Sequence, residues 1–168
     1  MLTSFARFRL QSRISRDNVN RKKQFLPWEK IEKIGLILHQ ADNINKSSLD
    51  KFLEGTKRNI HVFYVDLAAK HPPFADWSCF TKKDVTLLGL PRQTVLSELK
   101  KQKFDLVINT CGDTELFATA LVSAFTAPFK CGNSRAFNDV DLIIKKTEPY
   151  HVVDYLNEVL RYLNMIKV

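Results

Sequence analysis

Short apolar segments alternate with amphipathic segments along this chain, and this alternation most constrains its fold. Residues 34–38 form an unbroken apolar run, and residues 61–67 and 104–109 are rich in β-branched and aromatic side chains. Such segments are typical of strands buried on both faces of a parallel sheet. Two shorter apolar segments, 128–131 and 140–144, predict further strands. A short extended piece is expected at 85–88, inside an irregular stretch.

Helix-like segments separate the predicted strands. Residues 150–166 carry apolar side chains at a 3.6-residue period, and residues 115–125 are apolar nearly all round, which predicts a deeply buried helix. Ser47 followed by Asp50 resembles a capping box, and Pro91 suits the first turn of another helix. This order predicts a Rossmann-like α/β fold in residues 33–168: one three-layer domain with a mostly parallel sheet of about five strands.

Positive charge is concentrated in an N-terminal arm, residues 1–32. Residues 1–33 hold nine Lys and Arg against three acidic residues, whereas residues 34–168 hold seventeen against fifteen. We predict a basic amphipathic helix here, with Leu2, Phe5 and Phe8 as its apolar stripe and Pro27 as its end. The arm suggests contact with RNA or a ribonucleoprotein, since phosphates require only such charges. The predicted nucleic-acid-binding residues are Arg7, Arg9, Arg13, Arg16, Arg21, Lys22 and Lys23.

Three other interpretations of the arm stay open. Its apolar stripe could simply pack on the body of the protein, or its aromatic and basic faces could dock on a membrane surface. Residues 1–16 are also rich in Arg and Ser without an acid, as mitochondrial transit peptides are. No apolar run approaches the roughly 20 residues that a transmembrane helix needs, and we expect a cytoplasmic protein.

Familiar catalytic and cofactor motifs are absent from the sequence. The five glycines form neither a dinucleotide-binding nor a P-loop spacing, so no cofactor is predicted. The three cysteines include no C-x-x-C pair and the four histidines no metal-binding pair, so we expect free, mostly buried thiols and no metal site. No catalytic residue is predicted, and a non-enzymatic binding or accessory protein is favoured.

A small-ligand or degenerate enzyme site is the alternative. In open α/β sheets, ligands bind beyond the carboxyl ends of the strands. The turn after the 104–109 strand offers Cys111, Asp113 and Thr114, whose helix start could hold an anion. These three residues are the predicted ligand-binding residues, although the favoured interpretation of Asp113 and Thr114 is that they only cap the helix.

The order of several segments resembles an uncharacterised family of small Bacteroidetes proteins. The segments that carry the resemblance are 82–84, 88–91, 104–109, 120–127, 129–132 and 138–143, followed by a C-terminal helix with Leu156, Tyr162 and Leu163. The resemblance implies a Rossmann-like fold, a bacterial origin and no assigned activity, and it counts against a transit peptide. Residues 104–132 also resemble a strand–helix–strand unit of heptosyltransferase-like glycosyltransferases, a likeness of fold only.

Overall fold

A computed structural model describes residues 2–112, 115–134, 137 and 139–166. Within these residues a single sheet contains six strands, all parallel, in the order β3-β2-β1-β4-β5-β6. The strands are β1 (Lys33–His39), β2 (Asn59–Val65), β3 (Ser78–Phe80), β4 (Leu106–Asn109), β5 (Phe129–Gly132) and β6 (Leu142–Ile143). The helices are α1 (Leu2–Val19), α2 (Lys46–Gly55), α3 (Gln93–Lys100), α4 (Leu116–Ala124) and α5 (Val152–Met165).

The Rossmann-like three-layer prediction is confirmed. The strand order is that of doubly wound folds, in which the order reverses between the first and fourth strands. The register between the two central strands pairs Ile34 of β1 with Leu106 of β4. The sheet has six strands rather than about five because β3 joins its edge. The piece expected at 85–88 is not a strand, since only Val85 makes an isolated bridge, to Pro91.

Side chains alternate along each strand between two separate cores. On one face, Ile34, Leu36 and Leu38 of β1 pack with α2 and α5. On the other face, Ile37 packs with α3 and α4. Every residue of α4 is buried, which confirms the prediction for this segment. The physical reason is that α4 lies between the sheet and α1, so it has no face left for solvent.

The predicted apolar stripe of α1 is wrong. Ala6, Leu10 and Ile14 are each only 1% exposed and pack on Leu116 and Ala120 of α4. Phe5 and Phe8 point to solvent instead, and the Leu2 side chain lies outside what the structure describes. The stripe of Ala6, Leu10 and Ile14 spans about 12 Å of the helix at about 1.5 Å per residue, whereas the stripe from Leu2 to Phe8 spans about 9 Å.

Three element boundaries also differ from the sequence prediction. Asn45, not Ser47, caps α2 by accepting a hydrogen bond from the Ser48 amide, and the Asp50 carboxylate accepts instead from Lys46 Nζ. The cap of α3 is Arg92, so Pro91 precedes the helix instead of starting it. The arm's helix ends at Val19, well before Pro27.

The segment after α1 is anchored to β5 and the strand that follows. The Arg21 guanidinium makes two 2.6 Å contacts with the Asp141 carboxylate, and both side chains are only 6% exposed. The Gln24 amide donates to Pro128 O at 3.0 Å, and the Phe25 ring packs edge-on against Phe129. The arm is therefore held to the α/β body both by α1 and by the segment from Arg21 to Phe25, which we call the linker.

Candidate nucleic-acid interface

A concave groove of about 950 Å³ lies between α1, α3 and the turn at residues 85–91. One wall is the outward face of α1. The opposite wall is the 85–91 turn, in which the Thr86 amide donates to Leu90 O at 2.8 Å and Gly89 adopts a φ of 74°. A positive φ favours glycine, so this residue permits the tight turn. We call this feature the basic groove.

Five cationic side chains line the basic groove: Arg9, Arg13, Arg16, Arg92 and Lys100. Asp17 is the single acidic residue among the described residues that line it. Its carboxylate is already engaged, at 3.8 Å from Arg13 Nε and 3.6 Å from Lys100 Nζ, and it accepts a hydrogen bond from Ser123 Oγ at 3.2 Å. The basic groove therefore carries a strong net positive charge.

Two of these cations are held in defined positions. Arg92 Nε donates to Lys83 O at 2.7 Å, which fixes the guanidinium beside the 85–91 turn. Arg13 is half-buried, and burial lowers its pKa, with Asp17 opposing and Arg16 adding to the shift. Arg13 nevertheless stays charged, because an arginine begins from a pKa above 12. Fixed cations lose less conformational entropy when they bind an anion.

A second groove of about 530 Å³ continues from the first around the end of α1. The two share Asp17 and Lys100, and the second adds Arg21, Lys22 and Lys130. Of these three, Lys22 is exposed, whereas the Arg21 side chain is 6% exposed and Lys130 is 2% exposed, so exposed basic side chains follow α1 from Arg9 to Lys22. A positively charged track of this kind suits the phosphates of a nucleic-acid strand.

The structure distributes the seven predicted binding residues over different places. Arg9, Arg13 and Arg16 come together in the basic groove, and Lys22 lines the second groove. Arg7 lies over the Phe137 ring, 5.7 Å from its centroid. Arg21 is committed to Asp141, and Lys23 lies 3.4 Å from the same carboxylate.

Sequence reasoning missed Arg92 and Lys100 as members of the groove. Both belong to the start and end of α3, far from the arm in sequence. The sequence indicates only that Lys100, Lys101 and Lys103 are cations that favour the C-terminus of a helix. The available signal was this local cluster of lysines, but its pairing with α1 depends on the tertiary fold.

The described part of the predicted ligand crevice, at the carboxyl ends of β1 and β4, is largely filled by the chain's own side chains. Buried Asp42 accepts hydrogen bonds from the His39 amide at 2.8 Å, Thr110 Oγ1 at 2.6 Å and Lys146 Nζ at 3.1 Å. His39 Nδ1 accepts from the Ala41 amide, and its Nε2 lies 3.4 Å from Glu115 Oε2. Among the described residues, no cluster of His, Cys, Asp and Glu is suited to a metal ion.

Cys111 adjoins the crevice but is a poor nucleophile. The residue is 3% exposed, and burial, followed by the carboxylates of Asp42 and Glu115, raises the pKa of its thiol well above the ordinary value. The cavity beside it holds about 10 Å³, room for about one water molecule. Asp113 and Thr114 lie outside the described residues, so a ligand site there stays a prediction.

The sequence predicts free, mostly buried cysteines, and the structure confirms this prediction. Cys79, Cys111 and Cys131 are all free, and the latter two are buried. No helix in the described part of the chain is long and apolar enough to cross a bilayer.

A family model matches residues 3–166, nearly the whole chain. The chain belongs to a family of unknown function, DUF6913. This confirms the predicted membership of an uncharacterised family, and the match extends over α1 as well as the α/β body. No curated protein and no solved structure matches the chain. The likeness to glycosyltransferases and the bacterial source stay predictions from the sequence.

Proposed function

We propose that this DUF6913 protein is an RNA-binding accessory protein whose basic groove holds the phosphate backbone of RNA, free or within a ribonucleoprotein. The observation that carries the proposal is the meeting of five cations with one acidic side chain that is already paired. A groove lined by positive charges raises the local concentration of polyanions. The predicted cytoplasmic location would bring the protein into contact with RNA.

The groove favours a strand over other anionic partners. A small anion would need one cluster of donors, whereas these cations are spread along α1 from Arg9 to Arg16, a distance of about 10 Å at about 1.5 Å per residue. A flat membrane surface would contact the exposed Arg9 and Arg16 more readily than the half-buried Arg13. A flexible polyanion can follow the track into the groove.

The test is binding of a fluorescein-labelled RNA oligomer of mixed sequence, followed by fluorescence anisotropy between about 50 and 200 mM salt. If all five cations meet phosphates, the plot of log K against log salt has a slope of about −3.5, from about −0.7 per contact on a single strand. The groove variant removes three exposed arginines: Arg9→Ala, Arg16→Ala and Arg92→Ala. Its slope should be shallower by about 2.

A matched control removes the same net charge outside the groove. It consists of Lys51→Ala, Lys145→Ala and Arg161→Ala, three exposed residues that do not line the groove. We expect this control to bind as the wild type does. Equal loss in both variants, or binding that does not weaken with salt, would contradict the proposal. Binding to anionic vesicles but not to RNA would support the membrane alternative instead.

A further inference from the structure

The rim of the basic groove carries exposed aromatic side chains that the fold does not use. Phe8 lines the groove and is 69% exposed, and Phe5, one turn earlier, is 53% exposed. The Arg9 guanidinium lies 5.7 Å from the centroid of the Phe5 ring. Because Ala6, Leu10 and Ile14 already supply the packing face of α1, neither ring is needed to hold the helix to the body.

These rings lie beside the groove cations. Phe8, Arg9 and Arg16 lie on the groove side of α1, along a stretch of about 12 Å at about 1.5 Å per residue. Across the groove, Leu87 at the tip of the 85–91 turn is fully exposed. The groove thus presents the apolar surfaces of Phe8 and Leu87 together with positive charge.

Only unpaired bases can use such rings. In an RNA duplex the base faces are stacked internally, so a protein meets mainly phosphates and 2′-hydroxyls. In a single strand the bases can turn outward and stack on aromatic side chains while the backbone follows cations. The pairing of aromatic rings with arginines on one wall therefore distinguishes the two forms of RNA.

Resting on the proposed function, we propose that the basic groove selects single-stranded RNA. One base stacks on Phe8, against Leu87 across the groove, and the neighbouring phosphates contact Arg9, Arg13 and Arg16. The charge of the groove matches the backbone, and the exposed ring matches the face of any base. Stacking of this kind tolerates every base, so selection is for strandedness and not for sequence.

The test compares a single-stranded RNA with its duplex of the same length, measured by anisotropy with the full chain. The variant is Phe8→Leu, which keeps an apolar side chain but removes the aromatic face. We expect Phe8→Leu to weaken binding of the single strand by about 5- to 100-fold and to leave duplex binding unchanged. Phe8→Trp, which restores an aromatic face, should recover the affinity for the single strand.

The inference is overturned if Phe8→Leu binds the single strand as the wild type does, or if the wild type binds the duplex equally tightly. The groove variant with Arg9→Ala, Arg16→Ala and Arg92→Ala separates this failure from a failure of the proposed function. If that variant still loses RNA affinity, the groove binds phosphates without stacking. If it binds as the wild type does, the proposed function itself is wrong. Circular dichroism confirms that each variant is folded.

Discussion

Lys130 gives the structure a pH dependence that can be worked out quantitatively. This β5 residue is 2% exposed, and its ammonium donates to Val122 O at 2.6 Å. Burial, with repulsion from Arg21, lowers its pKa from 10.5 to about 7, although Asp141, Asp139 and Asp17 attract the charge. The unfolded chain keeps the ordinary value because its lysine is hydrated.

The direction of the effect follows from proton counts. Between about pH 7 and pH 10.5 the unfolded chain holds a proton on Lys130 that the folded protein has lost. Stability rises with pH wherever the unfolded state binds more protons. Between about pH 7 and about pH 8.5, this one group should add about 2 kcal/mol to the free energy of unfolding. Below pH 7 the lysine is charged in both states, and the destabilising cost of burying that charge is fully present.

The assay is urea unfolding of the wild type and of Lys130→Met at these two pH values. Between these two pH values, we expect the free energy of unfolding of the wild type to rise by about 2 kcal/mol more than that of Lys130→Met. Burial raises the pKa of Cys131, which lowers stability only as the pH nears the ordinary thiol value of 9.0. Exposed Lys103→Met is the matched control and should keep the wild-type rise. Equal rises in wild type and Lys130→Met would refute the reasoning.

Three further predictions concern the attachment of the arm and the predicted crevice. Ile14→Ala should lower the free energy of unfolding by about 2–4 kcal/mol, because it leaves a cavity between α1 and α4. Urea unfolding measures this loss, and its absence would show that α1 does not pack on α4. Arg21→Met should cost about 3–5 kcal/mol, because it removes the guanidinium that makes two contacts with the buried Asp141 carboxylate. Adding Asp141→Asn should recover part of this loss, and strictly additive losses would contradict the pairing. Cys111 should resist alkylation in the native protein until it unfolds, as followed by peptide mass spectrometry; rapid labelling at neutral pH would contradict its burial.

Sequence patterns predicted most of the sheet because its strands are buried on both faces. The run at 34–38 lies within β1, and the all-round apolar segment at 115–125 contains α4. These features are local, so a window of sequence contains the signal. The short strand β3 gave no such signal, since three residues are too few to show a period.

The orientation of α1 could not be predicted for a different reason. Phe5 and Phe8 are more hydrophobic than Ala6, but Leu10 and Ile14 are also strongly apolar, so composition alone does not decide between the two faces. Leu116 and Ala120 of α4 determine which face is buried, and Ala120 is small enough to let the two helices approach closely. The choice depends on a contact between segments that are distant in sequence.

The candidate site was also predictable only in part, because some of its residues come together only through the tertiary fold. Charge counts alone identified Arg9, Arg13 and Arg16 on the arm. The groove also needs Arg92 and Lys100, which only the packing of α3 beside α1 brings near. The sequence does not show that Arg21, which carries the same charge as the groove arginines, forms a buried ion pair with Asp141.

The most direct test of the central claim is to locate RNA on the protein by ultraviolet cross-linking. The full chain is irradiated with a bound single-stranded RNA and digested, and mass spectrometry identifies the peptides that carry a nucleotide. We predict adducts on the peptides that contain Phe8 and the 85–91 turn, and their loss in the Arg9→Ala, Arg16→Ala, Arg92→Ala variant. Adducts confined to α2 and α5, on the opposite face of the sheet, would contradict the account.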